Sequence, residues 1–327
     1  MLPFISIVIP TLNEAHVIEK CFSSLQNLHY PNDRLEIIIV DGLSTDNTRQ
    51  IAQEYGVMVV DNPGIRVVSA RNAGFLAAKG ELLAFSDADC VMDKQWLMNS
   101  VKYFEDSRVA GIGGPNLVPE DEPPFARATG LLFDYAYLFR AGAPTKKYAR
   151  VIESRAHGSN AIYRVNALGE VMPVDEAMLE GEDVIMNSML LKKGYKLIYV
   201  PDVIVYHYRR STPKSWWRQM AIYGAAKILM WRKMPRTVTP VNILLGLAIP
   251  ILFLILAILI VFFQSMALLI IAVSIIIFFL CSFIFALIAL KSLSVAVNMP
   301  LAIFILPIAW SKGFLKELIF PTKRQVQ

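Results

Sequence analysis

From Thr237 to Leu290 the chain carries no charged residue. A run of that length without Asp, Glu, Lys or Arg excludes an ordinary water-facing surface. It is long enough for two membrane-crossing helices of about 20 residues each. Cysteine is also scarce: Cys21, Cys90 and Cys281 are the whole supply. A scattered, odd-numbered set excludes a disulfide framework and offers no zinc spacing, which fits a reducing compartment. The start, MLPFISIVIP, lacks the basic region of a cleavable signal and reads as a strand. Neither an internal repeat nor a low-complexity linker is evident.

What is present divides sharply. Of 327 residues 55% are hydrophobic, and the mean hydropathy is +0.47, but the excess is concentrated near the C-terminus. Residues 1–210 mix polar and apolar residues and read as one large α/β domain. Residues 237–290 read as a helical hairpin spanning the membrane, with spans near Val241–Phe263 and Met266–Leu290 and a turn at Gln264-Ser265. A further uncharged stretch, Ser292–Ser311, contains Asn298, Pro300 and Pro307, and the basic tail to 327 follows it. That stretch reads either as a third span or as a broken, interfacial segment. The second is favoured, because two spans keep the tail on the side of the first domain. Basic residues gather just before the first span: Arg209, Arg210, Lys214, Arg218, Lys227, Arg232, Lys233 and Arg236. The positive-inside rule then places the first domain in the cytoplasm. This basicity, part of a net charge of +5, points to a membrane surface, and no nucleic acid partner is expected.

The first half alternates strand and helix patterns, which predicts a mainly parallel sheet. FISIVIPT, LEIIIVDG, VMVVDN and ELLAFSDAD read as strands. Between them, NEAHVIEKCFSSLQNL has helical apolar spacing, STDNTRQIAQEYG has a cap in Ser44 or Asp46, and VVSARNAGFLAAKG stops at Gly80. Ligands of such sheets bind beyond the carboxyl ends of the strands. Thr11, Asn13, Glu14, Asp41, Asp87 and Asp89 all fall there. Asp87-Ala88-Asp89 sets two carboxylates two positions apart, so both can point the same way from extended backbone. Mg2+ and Mn2+ prefer such oxygens and bridge phosphates.

VIPTLNE, IIIVDGLSTDNT, ARNAGFLAAKGELLAFSDAD and EGEDVIMNSMLLKKGYKLIYVPDVIVYH, in this order and spacing, resemble a family 2 glycosyltransferase over about residues 4–224. The resemblance implies a GT-A fold, a nucleotide-sugar-binding α/β domain with a mainly parallel central sheet, followed here by C-terminal transmembrane helices. It implies that Pro10, Thr11 and Glu14 line the nucleotide pocket and that Asp41 accepts from the base, typically uracil; a turn-forming Asp41 is the alternative. Arg71 and Asn72 would approach the nucleotide, or else form a solvated helix start. Asp87 would contact the ribose, and Asp89 would bind Mg2+ or Mn2+ holding the diphosphate. His207 would complete the metal site, or be a structural histidine.

On the acceptor side, HGSNAIYR (His157–Arg164) resembles the segment beside the donor sugar, giving Gly158, Ser159 and Asn160 a binding role. A plain turn is the alternative. Asp183 would be the general base and Glu182 would orient the acceptor; a helix cap would explain the same carboxylates. Ser211–Pro235, within the 211–236 region, combines Trp216, Trp217 and Trp231 with cations and reads as an amphipathic interfacial helix. Processive synthases carry Gln-x-x-Arg-Trp in this region. Here the order is Trp217-Arg218-Gln219, which counts against long-chain synthesis. Arg209, Arg210 and Arg218 would contact a diphosphate or lipid phosphate, or simply anchor the membrane side. The expected function is an integral-membrane inverting glycosyltransferase moving a sugar from a nucleotide-sugar, with UDP favoured, to a lipid or lipid-linked glycan at the cytoplasmic face. The alternatives are a polyprenyl-phosphate glycosyltransferase, a processive synthase and a catalytically silent nucleotide-sugar-binding protein.

Overall fold

The structure, a computed structural model, describes residues 1–64, 66–138, 152–153, 158–176, 181–235, 238–263 and 266–321. His157, Arg236, the Gln264-Ser265 turn, Lys323 and Arg324 lie outside the described residues. The chain forms two compact units, Met1–Pro119 with Ala143–Tyr208, and Glu120–Gly142 with Arg209–Gln327.

In the first unit, apolar runs become buried strands: β1 (Ile5–Thr11), β2 (Leu35–Asp41), β3 (Met58–Asp61) and β4 (Leu82–Ser86), separated by α1 (Ile18–Gln26), α2 (Thr48–Glu54) and α3 (Val67–Ala77). After β4 come β5 (Cys90–Met92), α4 (Met98–Val101), β6 (Val109–Gly113) and β7 (Asn116–Leu117). The helix α5 (Pro124–Leu138) belongs to the second unit. The first unit resumes with β8 (Ile152–Glu153), β9 (Asn160–Arg164), α6 (Val165–Leu168), α7 (Glu182–Lys192), β10 (Lys196–Tyr199) and β11 (Val205–His207).

The main sheet runs β3-β2-β1-β4-β9-β6-β10-β8. Strands β1 to β4 are mutually parallel, whereas β9 is antiparallel to both β4 and β6. Ile5, Ile7, Ile9, Ile39, Ile112 and Ile162 form one core with Phe22, Leu25 and Trp96. α3 ends at Ala77, before the Gly80 stop expected from sequence. The Gly80 N–H instead donates to Ser6 Oγ at 2.8 Å, so that glycine serves packing against β1.

The second unit also holds α8 (Pro213–Lys233), α9 (Pro240–Gly246), α10 (Ala248–Phe263), α11 (Ala267–Leu290) and α12 (Leu293–Ile319). α8 is one uninterrupted helix started by Thr212, whose Oγ1 accepts from Ser215 N at 3.2 Å, with Pro213 in its first turn. The contiguous 1–210 domain read from sequence is interrupted here. α5 groups with the C-terminal helices because Phe125, Ala128 and Leu131 share their core with Trp216, Met220, Met299 and Ala302.

The apolar segments depart from expectation in two places. The segment expected to form the first span is a bent pair, α9 and α10, with axes 59° apart. The third segment is continuous: α12 holds Pro300 and Pro307 within 27 helical residues. Helices α11 and α12 are both long and apolar enough to cross a membrane. A proline removes a donor and crowds the preceding turn; packing of α12 on α5, α8 and α11 offsets that loss. Trp216 is also buried, not laid against lipid: its indole N–H donates to Ala302 O at 3.1 Å.

α8 and α12 meet through glycine. A Cβ on Gly313 would fall 1.8 Å from Ala221 O, and one on Gly224 would fall 2.1 Å from Trp310 O. Gly313→Val should therefore force the helices apart and cost about 1–3 kcal/mol, read as a lower thermal midpoint in detergent. An unchanged midpoint would contradict this close packing.

Candidate functional site

The carboxyl ends of β1 and β2 lie side by side, with Thr11 opposite Asp41. Asp41 is fully buried. Its oxygens accept from Thr11 Oγ1 (3.2 Å), Ser44 N (3.0 Å), Ser44 Oγ (2.5 Å) and Arg49 Nη1 (3.0 Å). Burial pushes this carboxyl up, but the donors Ser44, Arg49 and Thr11 outweigh it and hold the group below the usual carboxylate range. Ser44 is thus spent on Asp41 and Asn13, and the start of α2 is capped by Asp46, which accepts from Thr48 N at 3.0 Å. Arg49 also reaches Asp61 at 2.7 Å. Sequence reasoning missed Arg49, since nothing local marks a helix cation as the partner of a strand-end acid.

Asp87 and Asp89 follow β4. A second, small sheet, β5-β11-β7, brings the distant histidine to them. Antiparallel pairing sets His207 opposite Cys90, and the Tyr208 N–H donates to Asp89 O at 2.9 Å. His207 Nε2 then lies 3.2 Å from Asp89 Oδ1. Ligand atoms of Asp87, Asp89, Cys90 and His207 all fall within 4.8 Å of one another. Two carboxylates and an imidazole suit Mg2+ or, better, Mn2+. Cys90 is the soft member of the set, less matched to these hard ions than the carboxylates; burial, then the charges of Asp89 and Asp87, push its thiol well up. Among the described residues His207 Nδ1 is buried without a hydrogen-bond partner.

Arg71 lies between these acids and α7. Its side chain is 5% exposed and sits over the Phe85 ring at 5.5 Å. Nη2 contacts Asp87 Oδ1 at 3.0 Å, and Nη1 donates to Glu182 Oε1. Glu182 is buried; burial pushes its carboxyl upward, and the Arg71 charge opposes that. The next residue, Asp183, is half-buried in the first turn of α7, after Gly181 with φ of 88°. Gly158 N donates to Asp183 Oδ2 at 3.1 Å, and Val184 N donates to Oδ1 at 2.7 Å.

Residues 6–172 match the family model described as glycosyl transferase family 2. The chain belongs to this family. A relative of this glycosyltransferase in Methanococcus voltae, dolichyl N-acetyl-alpha-D-glucosaminyl phosphate 3-beta-D-2,3-diacetamido-2,3-dideoxy-beta-D-glucuronosyltransferase, is 30% identical over 70% of this chain and 74% of its own. Glycosyltransferase AglE of Haloferax volcanii is 28% identical over 70% of this chain and 75% of its own. Among solved structures, the mannosyltransferase PcManGT from Pyrobaculum calidifontis, in complex with GDP-Man and Mn2+, aligns with a TM-score of 0.63 and 19% identity over 99% of this chain and 89% of its own. The fold is GT-A.

Within this family 2 enzyme, Thr11, Asp41, Arg71, Asp87, Asp89, Gly158, Glu182, Asp183 and His207 all belong to the first unit. So do Pro10 and Glu14, which border the β1 end; Glu14 N donates to Thr48 Oγ1 at 2.8 Å. Other expected contacts are occupied by the protein itself. Asn72 exchanges two bonds with the Val174 backbone at 2.8 and 2.9 Å. Asn160 accepts from Trp96 Nε1 and donates to Pro115 O and Val203 O. Ser159 accepts from Asn116 Nδ2 at 2.7 Å. Glu182 is buried and paired with Arg71. Arg209, Arg210 and Arg218 belong to the second unit. There Arg209 covers the Phe133 ring at 4.6 Å and its backbone N–H donates to Glu122, while Arg210 and Arg218 are exposed.

Asp89→Ala should abolish Mn2+ binding measured by calorimetry, and His207→Ala should weaken it by about 10–100-fold, both without loss of the fold. Unchanged Mn2+ affinity in Asp89→Ala would remove this cluster as a metal site.

Proposed function

We propose that this glycosyltransferase is an integral protein of the cell membrane. It takes a sugar from a nucleotide-sugar, a UDP-sugar in our reading, and transfers it with inversion to a hydroxyl of a lipid-linked glycan or lipid. The observation that carries the reading is the tie through Arg71. It joins the acidic cluster at Asp87 and Asp89 to the start of α7, where Asp183 is half-exposed. The lipid-carried acceptor draws support from the dolichyl phosphate in the name of the Methanococcus voltae relative.

Asp89 and His207 would hold the divalent ion, which when bound supplies positive charge to the leaving diphosphate. Asp183 takes the proton of the acceptor hydroxyl as its oxygen bonds to the anomeric carbon. The bond from that carbon to the diphosphate breaks on the opposite face, and the nucleoside diphosphate leaves with the electron pair. Gly158 N and Val184 N hold the Asp183 carboxylate during this step. A hydroxyl needs such a base, worth roughly 10²–10⁴-fold, whereas a polyprenyl phosphate is already ionised.

The second unit supports a surface-bound arrangement. Contacts between α8 and α12 advance together, Trp216 to Ala302, Gly224 to Trp310 and Arg232 to Glu317, so the two helices run parallel. Lys214 and Arg218 are exposed on either side of Trp216. A cation at the centre of a membrane helix costs about 2.5–3.5 kcal/mol, which supports reading this level of α12 as interfacial despite its apolar length. In our reading α11 and the bent α9–α10 pair cross the membrane, and α12 lies with α8 at the cytoplasmic interface.

Two measurements test these readings. With a panel of UDP- and GDP-sugars and lipid-linked acceptors, Asp183→Asn should lower the transfer rate by about 10²–10⁴-fold with donor affinity kept. Near-wild-type transfer would move the acceptor to a lipid phosphate. In a Cys281→Ser background, Phe320→Cys should react with an impermeant maleimide from the same vesicle face as Lys214→Cys. Labelling from opposite faces would make α12 a span.

A further inference from the structure

We propose that Arg71 is a positioning residue for the catalytic base and not a contact to the nucleotide; this rests on the reading of Asp183 as that base. The guanidinium is almost wholly enclosed, and both of its outer nitrogens are directed at carboxylates of the protein. A nucleotide that reached it would compete with Asp87 and Glu182 for the guanidinium. What the guanidinium does instead is fix a distance. It is a rigid planar fork, so Asp87 at the end of β4 and Glu182 at the start of α7 are held at a set separation.

The effect reaches Asp183 by two routes. Glu182 is its neighbour in the chain, so anchoring Glu182 anchors the first turn of α7. The second route passes through Gly158, which stands between the two groups. Its N–H holds Asp183 Oδ2 at 3.1 Å, and on its other side a Cβ would lie only 2.2 Å from Arg71 Nη1. The segment that grips the base therefore rests against the guanidinium, and a side chain at 158 would have to push Arg71 aside. Arg71, Glu182, Gly158 and Asp183 form one closed circuit, and Asp87 ties it to the metal cluster.

Two substitutions test the circuit in the full-length protein. Arg71→Lys keeps the charge but cannot fork to both acids. Gly158→Ala keeps every charge and pushes the guanidinium aside. Both should lower kcat by about 10²-fold, the scale of a misplaced reacting group. The affinity for UDP or GDP, measured by calorimetry with Mn2+, should stay within about threefold of wild type. A general packing defect would not spare nucleotide affinity in both. If Arg71→Lys lowers the thermal midpoint too far to assay, Gly158→Ala alone decides. Loss of nucleotide affinity with kcat retained would make Arg71 a nucleotide contact and overturn the proposal, as would wild-type kcat in both variants. A wild-type protein that transfers no sugar from any donor would overturn the enzyme reading and this role with it.

Discussion

Burying a charged group costs several kcal/mol unless opposite charge and hydrogen bonds meet it, and in the catalytic unit Arg71 is met by Asp87 and Glu182. The remaining geometry follows from that requirement. Asp87 must stand at the end of β4, where the strand leaves the core. α7 must begin close enough to deliver Glu182. The segment before β9 must pass without a side chain at Gly158. Once those three conditions hold, Asp183 is set beside Gly158 at the start of α7, and Arg71 offsets the repulsion between Asp87 and Glu182.

The small sheet supplies the second half of the arrangement. His207 is far from Asp89 in sequence, and only the antiparallel register of β11 on β5 makes them neighbours. A shift of one residue would turn the imidazole to the other face of the strand. The knot at Asn160 guards that register indirectly. Its amide reaches Pro115 O, just before β7, and Val203 O, just before β11, while Trp96 Nε1 donates to its oxygen. Both short strands are thereby tied to the main sheet beside the acids.

Much of this was legible in the sequence, because strands buried on both faces read as apolar runs and their polar ends are conspicuous. The ends of β1, β2 and β4 and the Asp87-Ala88-Asp89 step were visible in that way. What stayed hidden depends on tertiary partners. Asn72 and Asn160 look like ligand contacts until the structure shows their amides satisfied by Val174, Pro115, Val203 and Trp96. Glu182 and Asp183 are adjacent, and nothing local says that one turns inward to Arg71 while the other faces water. In the C-terminal unit, Pro300 and Pro307 suggested a break that packing overrides. The bend fell instead in the first apolar segment, between α9 and α10. The assignment of α5 to that unit rests on which core its apolar face joins, which no pattern along the chain reveals.

The glycine contacts between α8 and α12 also have a mechanical meaning. A slip of one helical turn, about 5.4 Å, would bring Met220 or Ile228 to the place of Gly224, and Ala309 or Glu317 to the place of Gly313. None of these has room against a backbone carbonyl that already excludes a single Cβ. The pair therefore has one seating along its common axis and behaves as a locked rod. An axial load applied near Thr212 is carried to Arg232 and Glu317 without sliding, so the pair moves as one piece.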